Sequence, residues 1–392
     1  MSNDLSENRH PKLALPIGRI KVPKFLYIVL AVLLVLVLVV SGLNLYINKS
    51  KTTSLTPVRL TNLEIVKKTL SWLDGQRDGR GVYNAGSKCD FNFNCESLMS
   101  SNEISGLSVL WAENRYLQKN NDEKELEIFK KNVALYADRN VVKRINNNFW
   151  NCYFMWDIWN NSSLDQGTKD NLEKICFDGM YSSSYMNMNG VNIKKTEELT
   201  KSLVLDIVSN KAIIDEQLLL NSVVDEDLIK NTQRNQFFSS SSDRLTRYLW
   251  KNKEKDLSDG LIDFQQSLDT YKNKQEVGIK AYEGCQTGIT SLMLSSILND
   301  SIYLDLSKII LDQQFEKINK NSIRDVSVCG LLADELYKAT KTEMFKEKKL
   351  SIIKDFLTNN FDKKSGGFYS KTETQLIKDV KFNGLMVGIL ID

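Results

Sequence analysis

Four carboxylates stand where this chain could do chemistry: Glu103, Asp157, Glu283 and Asp325. Glu103 opens the run NEISGLSVLW, Glu283 precedes GCQTGITSLML, and Asp325 opens the run DVSVCGLLADEL. Each of these three sits at the expected start of an apolar helix. Asp157 differs, because it lies in FWNCYFMWDIWNN between Trp156 and Trp159. A carboxyl in apolar surroundings keeps its proton to higher pH and can donate it, while a second, ionised carboxylate acts as base or nucleophile. Cleavage of a glycosidic bond requires such a pair. Helix capping explains an acidic first turn without any chemistry, and for each residue taken singly it outweighs catalysis. Asp157 could equally bond to a neighbouring backbone group or an arginine.

The same aromatic stretch offers a binding face. Phe149, Tyr153 and Trp156 share one side of a helix, with Trp150 and Trp159 beside it. Trp150, Tyr153 and Trp156 are the candidate contacts for a stacked sugar ring. Aromatic stripes at helical spacing are more commonly core. Other chemistries are narrowed by what the chain lacks. Its single histidine, His10, falls in the N-terminal tail. Ser-His-Asp, Cys-His and histidine-bearing metal sites are thereby disfavoured, and no Cys spacing suggests zinc. No metal or cofactor is expected. Charge gives no nucleic-acid signal: beyond residue 24 the acidic and basic residues balance, with no basic arm.

The elements that must position these groups read as helices. No proline occurs after Pro57, and Leu, Ile, Lys, Asn and Glu abound. Apolar residues at three- and four-residue spacing predict a first helix over 61–75, capped by Thr61. Further helices are expected from about 102, at 122–139, 165–178, 196–209, 213–231, 243–253, 257–272, 285–299, 302–318, 323–339, 341–360 and 381–391. The segment 180–193 reads as a loop. No strand alternation stands out, although strand pieces could hide in the Gly-rich loops. The fold class expected is all-α.

A faint internal repeat links the two ends of this region. Near the start, TLSWLDGQRDGRGVYN is a helix end followed by a Gly-aromatic turn; near the finish, IKDFLTNNFDKKSGGFYS is another. Each leads to a helix of small and apolar residues, SGLSVLWA and NGLMVGIL. Repeated helical hairpins of this kind stack into a ring or solenoid. The stretch from Trp72 to Tyr83, WLDGQRDGRGVY, resembles the loop of α/α-toroid proteins, among them six-hairpin glycosidases and terpenoid-cyclase-like domains. The resemblance implies two concentric rings. Polar outer helices would lie at 61–75, 122–139, 302–318 and 341–360; apolar inner ones would lie at 103–117, 285–298, 324–338 and 383–391. It also implies a site where the inner helices begin, which is where Glu103, Glu283 and Asp325 fall. The D-x-D-D motif of squalene-type cyclases is absent, and Cys285 is followed directly by Gln286 rather than by the spacing of a thioester.

Placement comes from the N-terminal region. Phe25 to Ile47 is uncharged and apolar, long enough to cross a bilayer as one helix. Arg9, Lys12, Arg19, Lys21 and Lys24 precede it, against Asp4 and Glu7, which favours a cytoplasmic N-terminus. The domains expected are a basic tail (1–24), a transmembrane helix (25–47) whose partner is the lipid bilayer, a polar stalk (48–60) and an extracytoplasmic toroid (61–392). All six cysteines lie beyond the span. An even count outside the cytoplasm suits disulfides, and joining sequence neighbours gives Cys89–Cys95, Cys152–Cys176 and Cys285–Cys329. Buried free thiols are the alternative. These observations point to a single-pass surface protein. Its toroid would act on a glycan through carboxylates or serve as a non-catalytic scaffold for a glycan or protein partner.

Overall fold

Thr61 sets the entry into the first helix, α1 (Asn62–Asp74). Its hydroxyl accepts from the Glu64 N–H at 3.3 Å, and Glu64 Oε2 accepts from the Thr61 N–H at 2.7 Å. This reciprocal cap satisfies donors that a helix start leaves open. Behind it, Ile65, Val66, Thr69, Trp72 and Leu73 make one buried stripe. The computed structural model describes residues 60–98, 105–142, 150–177, 193–209, 245–249, 254–274 and 280–391, and residues 60–392 belong to one compact unit.

After α1 come the strands β1 (Gly86–Cys89) and β2 (Cys95–Leu98), then α2 (Ser105–Asn120) and α3 (Glu123–Ala137). The aromatic stretch is α4 (Trp150–Trp159), followed by α5 (Gln166–Phe177), α6 (Ile193–Ser209) and α7 (Glu254–Lys274). The last third holds α8 (Ala281–Leu298), α9 (Ser301–Phe315), α10 (Ile323–Thr340) and α11 (Glu343–Asn359). It ends with β3 (Ser370–Lys371), β4 (Leu376–Asp379) and α12 (Val380–Leu390). The expected helices appear at these places within a few residues. The expected loop 180–193 lies outside the described residues except for its last residue, and the expected helix 213–231 lies wholly outside them. Of 243–253 only 245–249 are described, and they are helical.

Two layers are evident from burial. In α2, α8, α10 and α12 the buried residues cover most of the surface, as in a helix surrounded by neighbours. In α1, α3 and α11 they form a single stripe against polar outer faces. The inner helices pack in the order α4, α2, α12, α10, α8, α7, with α1, α3, α5, α9 and α11 outside them and α6 set against α7 and α9. Small residues set the spacing. A Cβ at Gly384 would lie 2.6 Å from Ser108 Oγ, and one at Gly330 would lie 2.9 Å from Ile389.

The helical expectation holds for most of the described residues, and a small four-stranded antiparallel sheet, ordered β2-β1-β4-β3, is added to it. Its strands are two to four residues long, too short to show alternation. Its central pairing, Gly86↔Asp379 to Cys89↔Leu376, joins the two ends of the unit. Gly86 permits that approach: its φ is 139°, and a Cβ there would fall 2.0 Å from the Lys378 carbonyl oxygen. The two Gly-aromatic loops of the internal repeat are built alike. Each closes an isolated antiparallel bridge, Arg77↔Tyr83 in one and Phe361↔Phe368 in the other. In each an aspartate side chain gathers the turn, Asp78 accepting from the Arg80 and Val82 N–H groups, Asp362 from those of Lys364 and Ser365. Three disulfides tie the layers and loops: Cys89–Cys95 across β1–β2, Cys152–Cys176 between α4 and α5, and Cys285–Cys329 between α8 and α10. Among the described residues no helix is long and apolar enough to cross a membrane; the run 25–47 lies outside them.

Gly388 tests the inner-ring spacing. A Cβ there would lie 2.0 Å from the ring of Trp111, which is fully buried and donates its indole N–H to Asp157 at 2.6 Å. Trp111 has little room to yield. Gly388→Ala is expected to cost about 1–3 kcal/mol of unfolding free energy. Gly79→Ala, with nothing within 4 Å of its Cβ, should change it by less than about 0.5 kcal/mol. Urea denaturation of both variants checks this.

Candidate functional site

The first turns of α8, α10 and α12 meet at one end of the inner ring and carry most of its unusual side chains. Tyr282 and Glu283 come from α8, Arg324 and Asp325 from α10, and Asp379 and Phe382 from the start of α12. Local sequence explains each placement. Ser322 caps α10 by accepting from the Asp325 N–H at 3.3 Å, and Asp379 caps α12 by accepting from the Phe382 N–H at 3.2 Å. The Cys285–Cys329 bridge, in the second turns of α8 and α10, fixes the two helices against each other.

Contacts run through the cluster without a break. The Arg324 guanidinium lies over the rings of Tyr282 (5.0 Å) and Phe382 (5.2 Å). The Tyr282 hydroxyl donates to Glu283 Oε1 at 3.0 Å. Asp325 Oδ2 accepts from the Asn319 N–H at 3.1 Å.

Burial separates the acids. Asp325 is 8 % exposed, and desolvation raises its pKa against the opposing pull of the Asn319 N–H and the Arg324 and Lys280 charges. Asp379 is raised for the same reason, partly offset by the Phe382 N–H. Desolvation and then the Glu283 charge push the Tyr282 hydroxyl up to about 12. Glu283 is half-buried. The arrangement therefore gathers a buried carboxyl with a raised pKa, a less buried glutamate, a cation and two aromatic rings at one end of the inner helices.

The sequence-derived candidates do not all converge here. Glu283 and Asp325 belong to this cluster; Glu103 lies outside the described residues. Asp157 belongs to a different layer, deeper along the inner helices. It accepts from Trp111 Nε1 at 2.6 Å and pairs with Arg115 at 3.4 Å, its side chain 41 % exposed. Of the two settings open to Asp157 in the sequence, apolar surroundings or a bond to a backbone group or an arginine, the ion pair is the second. Arg115 also reaches Asp334 (3.5 Å), Glu335 (3.3 Å) and the Gly388 carbonyl (3.3 Å). Asp334 follows Asp325 on the same helix at a rise of roughly 13 Å, which measures the separation of the two layers.

Of the aromatic candidates, the side chain of Trp150 lies outside the described residues. Tyr153 is half-buried, its hydroxyl raised well above the ordinary value by desolvation and then by the Glu335 and Asp157 charges. Trp156 stacks on Trp159 with centroids 5.6 Å apart. Sequence reasoning missed Tyr282, Arg324 and Asp379. Asp379 had a readable signal, an aspartate directly before the apolar run VKFNGLMVGIL; Tyr282 and Arg324 had none.

Solved structures can now be compared with this architecture. An α-mannanase of glycoside hydrolase family 76 from Bacteroides thetaiotaomicron is similar over 86 % of this chain and 96 % of its own, with a TM-score of 0.53 and 10 % identity. The fold is an α/α toroid. An inactive α-1,6-mannanase from a Salegentibacter species, with two adjacent aspartates replaced by alanine and α-1,6-mannotetrose bound, matches 84 % of this chain and 98 % of its own (TM-score 0.54, 10 % identity). An unsaturated glucuronyl hydrolase variant from Streptococcus agalactiae matches 85 % and 91 % (TM-score 0.52, 12 % identity). No protein-family model and no curated protein matches the sequence.

The raised pKa of Asp325 has a measurable consequence. An unfolded aspartate titrates near 3.9. Between that value and its higher folded value, the folded state binds more protons than the unfolded state, so stability falls as pH rises. Asp325→Asn removes this loss. Its stability relative to wild type should climb from about pH 4 and level off once Asp325 is ionised in the folded wild type. Urea denaturation across this range reads it; a difference that stays flat with pH would contradict the burial argument.

Proposed function

We propose that this chain is a carbohydrate-active enzyme that cleaves a glycan with carboxylate acid/base chemistry at the N-terminal ends of its inner helices. The observation that carries the reading is the buried Asp325, its pKa raised by desolvation, at the start of a helix whose Arg324 packs over Tyr282, the residue that bonds the more exposed Glu283. Asp325 donates a proton to the departing glycosidic oxygen. Glu283, oriented by the Tyr282 hydroxyl at 3.0 Å, acts as base or nucleophile on the other side of the bond. Arg324 balances the negative charge around them, its guanidinium packed over the buried Tyr282 and Phe382 rings. The toroid neighbours include α-mannanases, one crystallised with α-1,6-mannotetrose, so α-1,6-linked mannan is the first substrate to test.

The reaction would take place at the cell surface. The run 25–47, the basic tail before it and three disulfides in the toroid support a membrane-anchored protein whose large domain lies outside the cytoplasm. A second reading has its own support. Asp379 caps a helix and Asp325 accepts from the Asn319 backbone N–H, the arrangement expected of a scaffold that binds glycan without cleaving it.

Asp325→Asn and Glu283→Gln separate the two readings. Catalysis predicts a loss of about 10²–10⁴-fold in kcat on α-1,6-mannan for each variant, with the circular-dichroism spectrum and melting temperature retained. Release of reducing ends is the measurement. Undiminished release by both variants would remove these residues from the chemistry, and mannan binding without release by the wild type would favour the scaffold.

A further inference from the structure

The described phenylalanines are buried or half-buried with two exceptions, and both sit in one short loop. Phe91 is 50 % exposed and Phe93 42 % exposed, at the tip of the β1–β2 hairpin, in the sequence CDFNFNC. The loop is held in several ways at once. The Cys89–Cys95 disulfide closes its base. The Asp90 carboxylate accepts from the N–H groups of Asn92 (2.8 Å) and Asn94 (2.9 Å) and from Asn94 Nδ2 (2.8 Å). Phe93 itself is left-handed, at φ 62°, a conformation that bulky residues rarely adopt. Glycine or asparagine would suit that backbone better. Neither burial nor backbone preference accounts for the two aromatic rings here.

The tip is fixed relative to the acid cluster. The Phe93 ring meets Tyr369 edge-on, with centroids 5.7 Å apart. The next residue, Ser370, accepts the Ile323 N–H on its hydroxyl at 3.0 Å, and the Lys371 N–H donates to Asn321 at 3.1 Å. These contacts end at the first turn of α10, which carries Asp325. We propose that Phe91 and Phe93, with Tyr369, form a sugar-stacking platform that holds a polysaccharide chain beside the catalytic end of the toroid. This assignment rests on the glycan-cleaving reading above and adds an outlying binding position to it.

The composition of the tip selects this occupant. Its rings alternate with Asp90, Asn92 and Asn94. A pyranose presents the matching pattern, with C–H faces for aromatic rings and hydroxyls at its rim for amides and carboxylates. A lipid surface would call for unbalanced cations beside the rings, but Lys88 stands opposite Glu96 in the strand register. A stable protein interface buries about 1,200 Å² or more, far beyond two rings on one turn.

The test uses the full chain in detergent and affinity electrophoresis through α-1,6-mannan. Wild type and Phe91→Trp/Phe93→Trp should both be retarded. Phe91→Ala/Phe93→Ala should bind about tenfold more weakly, since aromatic contacts contribute about 0.5–1.5 kcal/mol each, with its melting temperature unchanged. Phe91→Ala alone should give a partial loss, which serves if the double variant does not fold. Equal retardation of the wild type and the alanine variants would overturn the platform. So would loss of binding to anionic phospholipid vesicles in place of mannan, or a wild type that mannan does not retard. The function reading fails separately: a retarded wild type that releases no reducing ends would keep the platform and discard the enzyme.

Discussion

A single buried guanidinium holds the middle of this ring together. Arg115, on α2, reaches Asp157 on α4, Asp334 and Glu335 on α10, and the Gly388 carbonyl on α12. It also lies 4.1 Å over the Trp111 ring, whose indole N–H binds the same Asp157. A charge taken out of water in this way is tolerated only when its partners are in place, and removing one partner of a buried pair typically costs about 3–5 kcal/mol. The network reaches the outer layer as well, since Lys349 on α11 donates to Asp334 at 2.7 Å and Lys338 pairs with the same carboxylate at 2.8 Å. The glycine at 388 belongs to this arrangement, because the bare backbone lets α12 lie against Trp111 with its carbonyl within reach of Arg115.

That middle layer explains why the chemistry is assigned to the end. Asp334 and Asp325 lie on one helix, yet their pKa values move in opposite directions. Burial pushes both up. At Asp334 the Lys338 and Lys349 charges outweigh it and hold the carboxyl below the usual range. At Asp325 no cation sits as close; the Asn319 N–H and the more distant Arg324 and Lys280 charges leave burial dominant. A carboxylate locked between lysines is a structural anion. A buried carboxyl near a helix start, lacking a direct counterion, is the kind of group that can carry a proton to a substrate.

Much of the fold was legible because its signals are local. Thr61 with Glu64, the three- and four-residue apolar spacing and the paired Gly-aromatic loops are read within a turn or two of chain. The disulfide pairing followed from nearest neighbours because two bridges join consecutive elements and the third joins α8 to α10, which pack together in the inner ring. The sheet was not legible, since β1 and β4 pair across nearly the whole unit and neither is longer than four residues. The setting of Asp157 stayed open for a related reason: its tryptophan neighbours in sequence suggested an apolar one, and its partner Arg115 lies 42 residues earlier. Glu283 and Asp325 were visible as helix starts; that Tyr282, Arg324 and Phe382 join them depends on how three helices converge, which no local pattern encodes.

The two loops of the internal repeat show how the ring is sealed. They are far apart in sequence, but the last loop docks on the helix that leads into the first. A Cβ at Gly366 would lie 2.3 Å from the Lys68 carbonyl oxygen, and one at Gly367 would lie 2.8 Å from the Trp72 ring, so the last loop seats directly on the first helix. Lys68 Nζ donates to the Lys363 carbonyl at 2.9 Å across the same seam. Asn383 then clamps the last loop to α12, its Oδ1 accepting from the Phe368 N–H and its Nδ2 donating to the Phe368 carbonyl. An open stack of hairpins leaves an unpartnered apolar face at each end. Here the first and last hairpins cover each other through β1–β4 and α2–α12, and the closure carries Asp379 and Phe382 to the end of the inner ring where Asp325 and Arg324 sit. The contacts that seal the toroid therefore also complete that group of side chains.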